Sequence, residues 1–353
     1  MNRPGKSSFA LPCYLIPIVS ACLLALSPSV ALAEGGMSAE CVAFRQDPGA
    51  DLGALLKAGC EPTTGQMSKL MDNPLGNVAM WINQIDTYSL TNDTFNKNQT
   101  EYQVNYMGII QFPKSISENW TVINRIVYSI PSSPIDQDKV DGLPGEPPFQ
   151  PPGGPVQPPS SGGPAPIDFL GGRTTGFGDM YYVGLLAPKE SISLGPGKNL
   201  LWGIGLDLGF PTATDDILGA GKWTAGPTGI LVYMGPKWKV GALVQNYFSY
   251  AGKDRHDDVS LMNLQYFIYY TLNDTMSIGA GPNIIANWEA SSGDKWTVPL
   301  GIGINKTIQF GKLPIRFGIE YHYNVVRPDT VGADWDLRFM IIPAMPSALF
   351  SWM

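Results

Sequence analysis

The residues of this chain that could do chemistry are concentrated in two neighbouring segments near its C-terminal end. Arg316, Glu320 and His322 are separated by even numbers of residues, and Asp336 and Arg338 follow with the same parity. In an extended strand, even spacing places side chains on one face. Such a group would either form ion pairs that fill a narrow interior or form a charged wall that selects a solute. The sequence leaves both interpretations open.

Catalysis is a rival interpretation of the histidines. The chain has two His, and an acyl hydrolase would need a serine nucleophile, a histidine base and an orienting Asn or Asp. His322 falls on the polar face of its segment, and His256 lies in the charged stretch Arg255-His256-Asp257-Asp258. No Gly-x-Ser-x-Gly motif accompanies either histidine. These observations favour a protein that is not an enzyme.

The elements that must position these residues show an alternation of apolar and polar residues with a period of two. Between residues 313 and 324 nearly every second residue is apolar, and segments 276–288 and 296–307 repeat the pattern. The segments approach the ~9–11 residues that a tilted strand needs to cross a bilayer, whereas strands in soluble sandwiches usually have ~5–6. This length favours a transmembrane β-barrel with its apolar side chains outside and its polar side chains inside.

An even number of such segments returns both ends of an antiparallel barrel to the same side. We therefore predict an all-β protein: a transmembrane antiparallel up-and-down β-barrel of about 12 strands, with a short N-terminal periplasmic segment. Placing the N-terminus in the periplasm makes the tight turns 234–237, 272–275 and 310–312 periplasmic, although the connection 188–198 is long for that side. The predicted strands are 77–90, 101–112, 119–130, 177–187, 199–210, 223–234, 237–250, 259–272, 275–288, 295–309, 313–326 and 334–346.

Tryptophan positions and charged side chains support this arrangement. Most of the nine Trp fall at the ends of predicted strands, where the indole favours the membrane–water interface. A charge that faces lipid at mid-bilayer costs ~2–4 kcal/mol, so charged residues on the polar faces should point inward and pair. The tryptophans at strand ends are Trp120, Trp202, Trp223, Trp238, Trp288, Trp296 and Trp335. The predicted lumen-lining residues are Arg125, Asp207, Lys239, Arg316, Glu320, His322, Asp336 and Arg338.

The N-terminal residues indicate export. Two basic residues precede the apolar stretch 9–26, and Ala31-Leu32-Ala33 matches an A-x-A cleavage site. We predict a signal peptide at 1–33 and export by a Sec-type route to the outer membrane of a Gram-negative bacterium. An uncleaved anchor and a lipoprotein signal at Cys22 are the alternatives.

Two segments fall outside the alternating pattern. Residues 34–76 form a predicted N-terminal periplasmic segment with a Cys41–Cys60 disulfide, and they either plug the barrel or extend from it. The barrel is predicted to occupy 77–353 and to contain a long Pro/Gly-rich loop at 131–176. Within this loop the proline-rich part favours a solvated, extended conformation over a partner site or a constriction of the lumen.

The charge of the chain excludes one class of partner and suggests another. A formal net charge of -7 argues against nucleic-acid binding, which requires a basic surface. Loop carboxylates would either form a solvated anionic rim or bind Ca²⁺ or Mg²⁺ shared with lipopolysaccharide phosphates. The weak metal candidates are Asp215, Asp216, Asp257 and Asp258. The expected partners are outer-membrane lipid and lipopolysaccharide, and the sequence implies no cofactor.

Several motifs resemble one family of bacterial outer-membrane proteins. They include Asp72-Asn73-Pro74-Leu75, the run Pro-Thr-Ala-Thr-Asp-Asp at 211–216, Gly-Ala-Gly-Lys-Trp at 219–223 and Ala-Asp-Trp-Asp-Leu-Arg-Phe at 333–339. The chain resembles the MetA-pathway of phenol degradation family over residues 72–346. Members of this family are often labelled transporters.

The resemblance implies an outer-membrane barrel of this strand count that passes small aromatic or hydrophobic compounds by passive diffusion. A non-conducting structural or surface-loop binding protein is the alternative. The proline-rich insert and the cysteine-bearing N-terminus look like additions to the family pattern. The chain also continues to Met353 past Phe350, the aromatic residue available as a signal to the barrel-assembly machinery.

Overall fold

The computed structural model describes most of the chain between residues 62 and 345. The described residues are Cys41, Cys60, 62–76, 78–91, 100–138, Pro151, Gly154, Pro155, 170–254, 256–311 and 313–345. The predicted signal peptide and Phe350 lie outside these residues. Among the described residues, no helix has the length and apolar character needed to cross a membrane.

Among the described residues, fifteen strands form one antiparallel sheet, and a helix, α1 (Thr64–Met71), precedes them along the chain. Two short strands lie off the main path, and β11 and β12 are halves of one interrupted crossing, so the predicted barrel of 12 strands is confirmed. The strands are β1 (Met80–Thr91), β2 (Thr100–Ser115), β3 (Trp120–Ile135), β4 (Leu170–Thr175), β5 (Met180–Pro188), β6 (Ile192–Ser193), β7 (Asn199–Phe210), β8 (Lys222–Met234), β9 (Trp238–Gly252), β10 (Ser260–Asn273), β11 (Met276–Ala280), β12 (Asn283–Asn287), β13 (Trp296–Phe310), β14 (Leu313–Val326) and β15 (Gly332–Pro343).

The barrel closes between its first and last strands. β1 pairs with β15 from Asn83↔Ile341 to Thr91↔Gly332, and every other crossing pairs with its neighbour along the chain. Short connections after β8, β10 and β13 define one end of the barrel, which we call the turn end. In outer-membrane barrels such short turns are periplasmic and the longer loops are extracellular. We call the opposite end the loop end.

Side chains divide between the two faces as the alternation predicts. Leu206 and Ile302 face outward and are 63% and 61% exposed, whereas Asp207 and Glu320 face inward and are 0% and 1% exposed. Aromatic rings collect at strand ends, for example Trp288 and Trp296, whose centroids are 5.4 Å apart. An apolar outer band flanked by aromatic rings is the surface that a bilayer requires.

Two predicted boundaries were wrong. The strand predicted to end at residue 130 continues to Ile135, because β4 folds back and pairs with it through Ser133↔Thr174. The predicted loop 131–176 therefore begins and ends as sheet. The strand predicted at 275–288 is interrupted after Ala280, where Gly281 and Pro282 leave the ladder. Proline has no N–H to donate, which explains the break.

Candidate functional site

The inner face of β14, β15 and β1 carries a connected group of charged side chains. In the register of β14 and β15, Glu320 lies opposite Arg338 and His322 lies opposite Asp336. Arg338 Nε lies 2.5 Å from Oδ1 of Asp86 on β1. All five residues are at most 4% exposed. Four of the residues that even spacing predicted to share one face therefore lie together. Asp86 is a further partner that the sequence analysis missed.

His322 is held between two carboxylates. Its Nδ1 lies 2.6 Å from Asp336 Oδ2, and its Nε2 lies 3.0 Å from Glu320 Oε2. Glu320 also accepts a hydrogen bond of 2.7 Å from the Tyr269 hydroxyl. In a catalytic triad one ring nitrogen must face a hydroxyl nucleophile, and here both nitrogens face carboxylates. The arrangement is that of an ion-pair network across the strands.

Arg125 and Asp207 lie on another part of the inner wall. Asp207 is fully buried, and Gln245 Nε2 lies 3.4 Å from its Oδ1. The same amide donates a hydrogen bond of 2.8 Å to the Tyr247 hydroxyl. Arg125 lines the interior, and Nε of its guanidinium has no hydrogen-bond partner among the described residues. These two charges attract each other without forming a direct ion pair within the described part of the chain.

Lys239 and Arg316 meet at a carboxylate to which the sequence analysis gave no role. Arg316 Nη2 lies 2.6 Å from Asp72 Oδ1, and Lys239 Nζ contacts Asp72 Oδ2. Three crossings of the ring separate β9, which carries Lys239, from β14, which carries Arg316. Asp72 therefore joins two distant parts of the barrel wall from inside the lumen.

The segment that carries Asp72 closes the turn end. We call residues 62–76 the plug. Its helix α1 begins with a capping box, in which Thr63 Oγ1 accepts from the Gln66 backbone N–H and the Gln66 side chain accepts from the Thr63 N–H. Arg316 Nη2 donates to the Ser68 carbonyl at 2.7 Å, and Gln111 Nε2 donates to the Pro74 carbonyl at 3.2 Å.

Apolar contacts also hold the plug, and a disulfide lies beside them. Met67 and Met71 of α1 are buried against Met80 and Ile342 of the wall. The predicted disulfide is confirmed: Cys41 is bonded to Cys60, which is buried in the same cluster. Of the two sequence-based alternatives for this segment, its described part has the contacts expected of a plug.

One side of the lumen carries a cluster of apolar side chains. Leu185, Val232 and Leu243 are almost fully buried there, and Leu75 of the plug packs against them. The remaining members of this cluster are Ile123, Val183, Ala187 and Ile230. The lumen therefore has one charged wall, on β14, β15 and β1, and a second wall, on β3 to β9, where this apolar cluster lies beside Arg125, Asp207 and Lys239.

A cavity of about 170 Å³ lies between these walls, above the plug. Ile109, Leu243 and Phe267 contribute apolar surface, and the charged groups described above contribute polar surface. The cavity touches Asp72 of the plug and also Glu320 and Arg338 of the charged network. It can hold a small molecule with one polar end.

The loop end is closed by the connection between β7 and β8. Its short 3₁₀ helix, Asp216–Leu218, buries Ile217 and Leu218 completely against Leu90 and other loop-end residues. Asp179 anchors this connection by accepting hydrogen bonds from the backbone N–H groups of Ala213 and Ala220, at 3.0 and 2.6 Å. Burial raises the pKa of Asp179 to about 6.

Part of the proline-rich loop also enters the lumen. Pro151, Gly154 and Pro155 are buried, so the interpretation of this loop as solvated is wrong at these positions. A Cβ atom added to Gly154 would lie 2.2 Å from Ile285 Cδ1, so a larger residue there would require the Ile285 side chain to move. Gly154 and Pro155 border a smaller space of about 20 Å³ beside His322. This segment narrows the loop end of the lumen.

The loop carboxylates make local contacts. Asp216 is paired with Lys253 at 2.6 Å, and Asp258 lies 3.6 Å from Lys222. Asp215 accepts a hydrogen bond from the neighbouring Thr214 hydroxyl at 2.9 Å. Asp257 lies between His256 and Asp258 in the sequence of the loop after β9, and the His256 side chain lies close to Asp216. In the part of the chain that the structure describes, no group of three or more His, Cys, Asp or Glu residues is arranged to hold a metal.

Comparisons with known proteins support the fold. The chain is similar to the structure of an outer-membrane channel from Pseudomonas putida F1, with 14% identity and a TM-score of 0.51 over 77% of this chain and 97% of that one. Weaker similarities include outer membrane phospholipase A from Escherichia coli, with 11% identity and a TM-score of 0.36 over 80% of this chain and 98% of that one. They also include the CymD monoaromatic hydrocarbon channel, with 9% identity and a TM-score of 0.34 over 84% of this chain and 93% of that one.

The similarity to the P. putida channel shows an outer-membrane β-barrel fold. A scan of family models found no match, and a search of curated proteins found none either. The specific family named from the sequence motifs therefore stays a prediction. Because a fold does not by itself imply a function, function must be argued from the interior of this barrel.

Proposed function

We propose that this protein is a gated outer-membrane channel through which small aromatic or hydrophobic compounds pass passively. The observation that carries the proposal is the cavity of about 170 Å³ inside the barrel, closed at the turn end by a plug that is not part of the wall. A purely structural barrel has no need of a space between two chemically different walls. The similar P. putida protein is described as an outer-membrane channel, which agrees with this proposal.

The size and lining of the cavity define the class of solute. An apolar cavity of ~150 Å³ engineered into another protein binds benzene, so a space of about 170 Å³ suits a compound with one aromatic ring. Leu243 and Phe267 offer the ring an apolar surface, and the Tyr269 hydroxyl and Gln265 can bind one polar substituent. Solutes larger than this cavity would not fit inside the barrel while the plug is in place.

Gating by the plug follows from the kind of contacts that hold it. Its contacts with the wall are ion pairs, side-chain hydrogen bonds and apolar contacts of Met67, Met71 and Leu75, and in the described part of the chain no backbone ladder joins it to a strand. Such contacts can break without opening the barrel. The closed arrangement is the resting state, and solute passage requires displacement of residues 62–76.

The same proposal assigns location and partners. Export by the Sec-type route and insertion by the barrel-assembly machinery would place the barrel among outer-membrane lipid and lipopolysaccharide. The apolar outer band and its aromatic rings support contact with lipid. We also propose membership of the MetA-pathway family, on the motifs at 72–75 and 211–223.

The test is single-channel conductance of the refolded mature protein in a planar bilayer, compared with a variant that lacks residues 34–76. Folding of both forms is checked by heat-modifiable migration in gels. We expect rare, brief openings of the full-length protein and steady conductance of the deletion variant. Silence of both folded forms would contradict the channel and favour the non-conducting alternative, a barrel that displays its loops as a structural or binding surface.

A further inference from the structure

The charged side chains that line the main cavity are more often basic than acidic. Among the described residues, four cations and two carboxylates line it: Arg125, Lys239, Arg316, Arg338, Asp72 and Glu320. The whole chain has the opposite excess, with a formal net charge of -7. A small anion is therefore attracted to the surface of this cavity more strongly than to the protein as a whole.

Arg125 differs from the other three cations in its contacts. The other three each contact the carboxylate of Asp72 or Asp86. The Arg125 guanidinium makes no ion pair and no side-chain hydrogen bond with any residue that the structure describes, and its Nε is buried. A buried donor without an acceptor costs ~1–3 kcal/mol, and more when it is charged. Arg125 is therefore the lining cation whose donors suit an acceptor brought by a ligand.

Asp207 is the carboxylate that attracts Arg125, and it does not serve as the missing acceptor. It does not line the cavity, and its Oδ1 lies 3.4 Å from the Gln245 amide, which also donates to the Tyr247 hydroxyl. The attraction offsets part of the cost of burying the arginine. It leaves the guanidinium without a hydrogen-bonded partner in the described part of the chain.

Arg125 lies at membrane depth beside apolar side chains. It is well inside β3, which begins at Trp120, and it lies opposite Val183 of β5. Val183 is 1% exposed and belongs to the apolar cluster of the lumen. Ionisable side chains at membrane depth are costly and mark the paths of substrates or ions. The position of Arg125 therefore indicates a role in binding rather than in solubility.

The surroundings of Arg125 define the chemistry of the ligand. The planar guanidinium fork binds a carboxylate through two parallel hydrogen bonds, and one arginine balances one negative charge. Ile230, Leu243 and Phe267 line the same cavity and offer surface to an apolar body. An inorganic anion would gain nothing from that surface, whereas an aromatic ring would. The volume of about 170 Å³ accommodates one ring with a small substituent.

We propose that the cavity binds a single-ring aromatic monocarboxylate, whose carboxylate accepts hydrogen bonds from Arg125 and whose ring packs against Leu243 and Phe267. The inference rests on the proposed function and names the class of solute within it. Hydrogen bonds between charged partners are about twice as strong as those between neutral ones. The site therefore prefers a carboxylate to an uncharged polar group of the same shape.

The test compares two probes of nearly the same shape, benzoate and uncharged benzamide. Binding of each ¹⁴C-labelled probe to the refolded mature protein is measured by equilibrium dialysis at neutral pH. A large excess of sodium chloride is present, so a site for any inorganic anion would show no benzoate binding. We expect the wild type to bind benzoate about 10- to 100-fold more tightly than benzamide, the range of hydrogen bonds to charged groups.

Variants of the arginine assign the preference to one side chain. Arg125→Gln should lower benzoate affinity about 10- to 100-fold and change benzamide affinity by no more than about threefold. Arg125→Lys keeps the charge but loses the fork, so its benzoate affinity should be intermediate. The matched control is Arg173→Gln. The exposed guanidinium of Arg173 donates to Ser132 Oγ and the Tyr102 carbonyl, each at 3.0 Å, outside the cavity, so neither probe should bind differently.

The two probes also separate the possible failures. Equal affinity of the wild type for benzoate and benzamide would overturn the carboxylate site and leave the proposed function standing. If the wild type binds neither probe, the proposed function itself fails. If Arg125→Gln does not fold, as judged by heat-modifiable migration, Arg125→Lys decides. Benzoate affinity that is unchanged in a folded Arg125 variant would overturn the inference.

Discussion

Replacing Asp72 with asparagine should release the plug. Asp72 contacts Lys239 and Arg316 with its two oxygens, and the side chains of these cations are only 9% and 13% exposed. Asparagine keeps the shape and one acceptor oxygen but removes the charge. The substitution leaves two buried cations without a carboxylate in the closed state, whereas displacement of the plug allows water to reach both.

The size of the effect follows from the burial of these groups. Removing one partner of a buried ion pair costs ~3–5 kcal/mol, and we take ~3 kcal/mol because Arg316 retains its hydrogen bond to the Ser68 carbonyl. At ~1.4 kcal/mol for each factor of ten, this is an increase of roughly 100- to 200-fold in the equilibrium constant for opening. The assay is the open probability of single channels in a planar bilayer.

The control variant is Asp274→Asn, which removes the other carboxylate that contacts the plug. Asp274 lies 3.9 Å from Lys69, and the two side chains are 82% and 43% exposed. An exposed pair of this kind contributes ~0–1 kcal/mol, so opening should increase by no more than about fivefold. If Asp72→Asn and Asp274→Asn gave the same small increase, or if Asp72→Asn stayed closed, the proposal that Asp72 holds the plug would be refuted.

Three other changes should affect separate parts of the barrel. Arg338→Met leaves Asp86 buried without its cation, so we expect a loss of ~3–5 kcal/mol of stability, seen as a lower temperature for heat-modifiable migration, whereas Asp86→Asn with Arg338→Met should restore part of it. Cys41→Ser with Cys60→Ser should weaken docking of the plug by ~3 kcal/mol on chain-entropy grounds and leave barrel unfolding unchanged, as tested by limited proteolysis of residues 34–76. Because burial raises the pKa of Asp179 from 3.8 to about 6, docking of the 211–221 connection should be strongest below pH 4 and weaken by up to ~2–3 kcal/mol as the pH rises through 6. Amide protection factors of that connection measure the change, and a pH dependence that survives Asp179→Asn would contradict it.

The alternation of residue types was sufficient to predict the barrel and its two faces. Side chains at even spacing, such as Glu320 and His322, must share a strand face, and lipid excludes charges from the outer one. The same rule would have placed Asp86 inside, since it falls within the predicted strand 77–90. It was missed because its own segment contains no basic residue, only Gln84 as a hydrogen-bond partner, and its cation Arg338 is 252 positions away.

Contacts made by irregular segments could not be predicted in this way. Nothing local in the sequence indicates that Asp72 binds cations from two distant strands, because that contact depends on where the plug enters the lumen. Gly281 and Pro282 are two residues unsuited to a strand. The side chains that hydrogen-bond to Gly281 at the interruption, Glu320 and Arg338, lie on other strands and could not be identified from the local sequence. Pro155 is buried at the lumen, a position that composition does not specify.

The pairing of Asp86 with Arg338 has a consequence for how the molecule is made. The two residues sit on the first and last strands, so neither has its partner until the whole chain has been delivered and the sheet curls shut. An unclosed intermediate in the bilayer would carry both charges at a cost of ~2–4 kcal/mol for the arginine alone. Chains truncated before β15 would carry Asp86 without its cation. The pairing of β1 with β15 therefore favours all-or-none assembly. Incomplete barrels would stay off the membrane and remain substrates for periplasmic proteases.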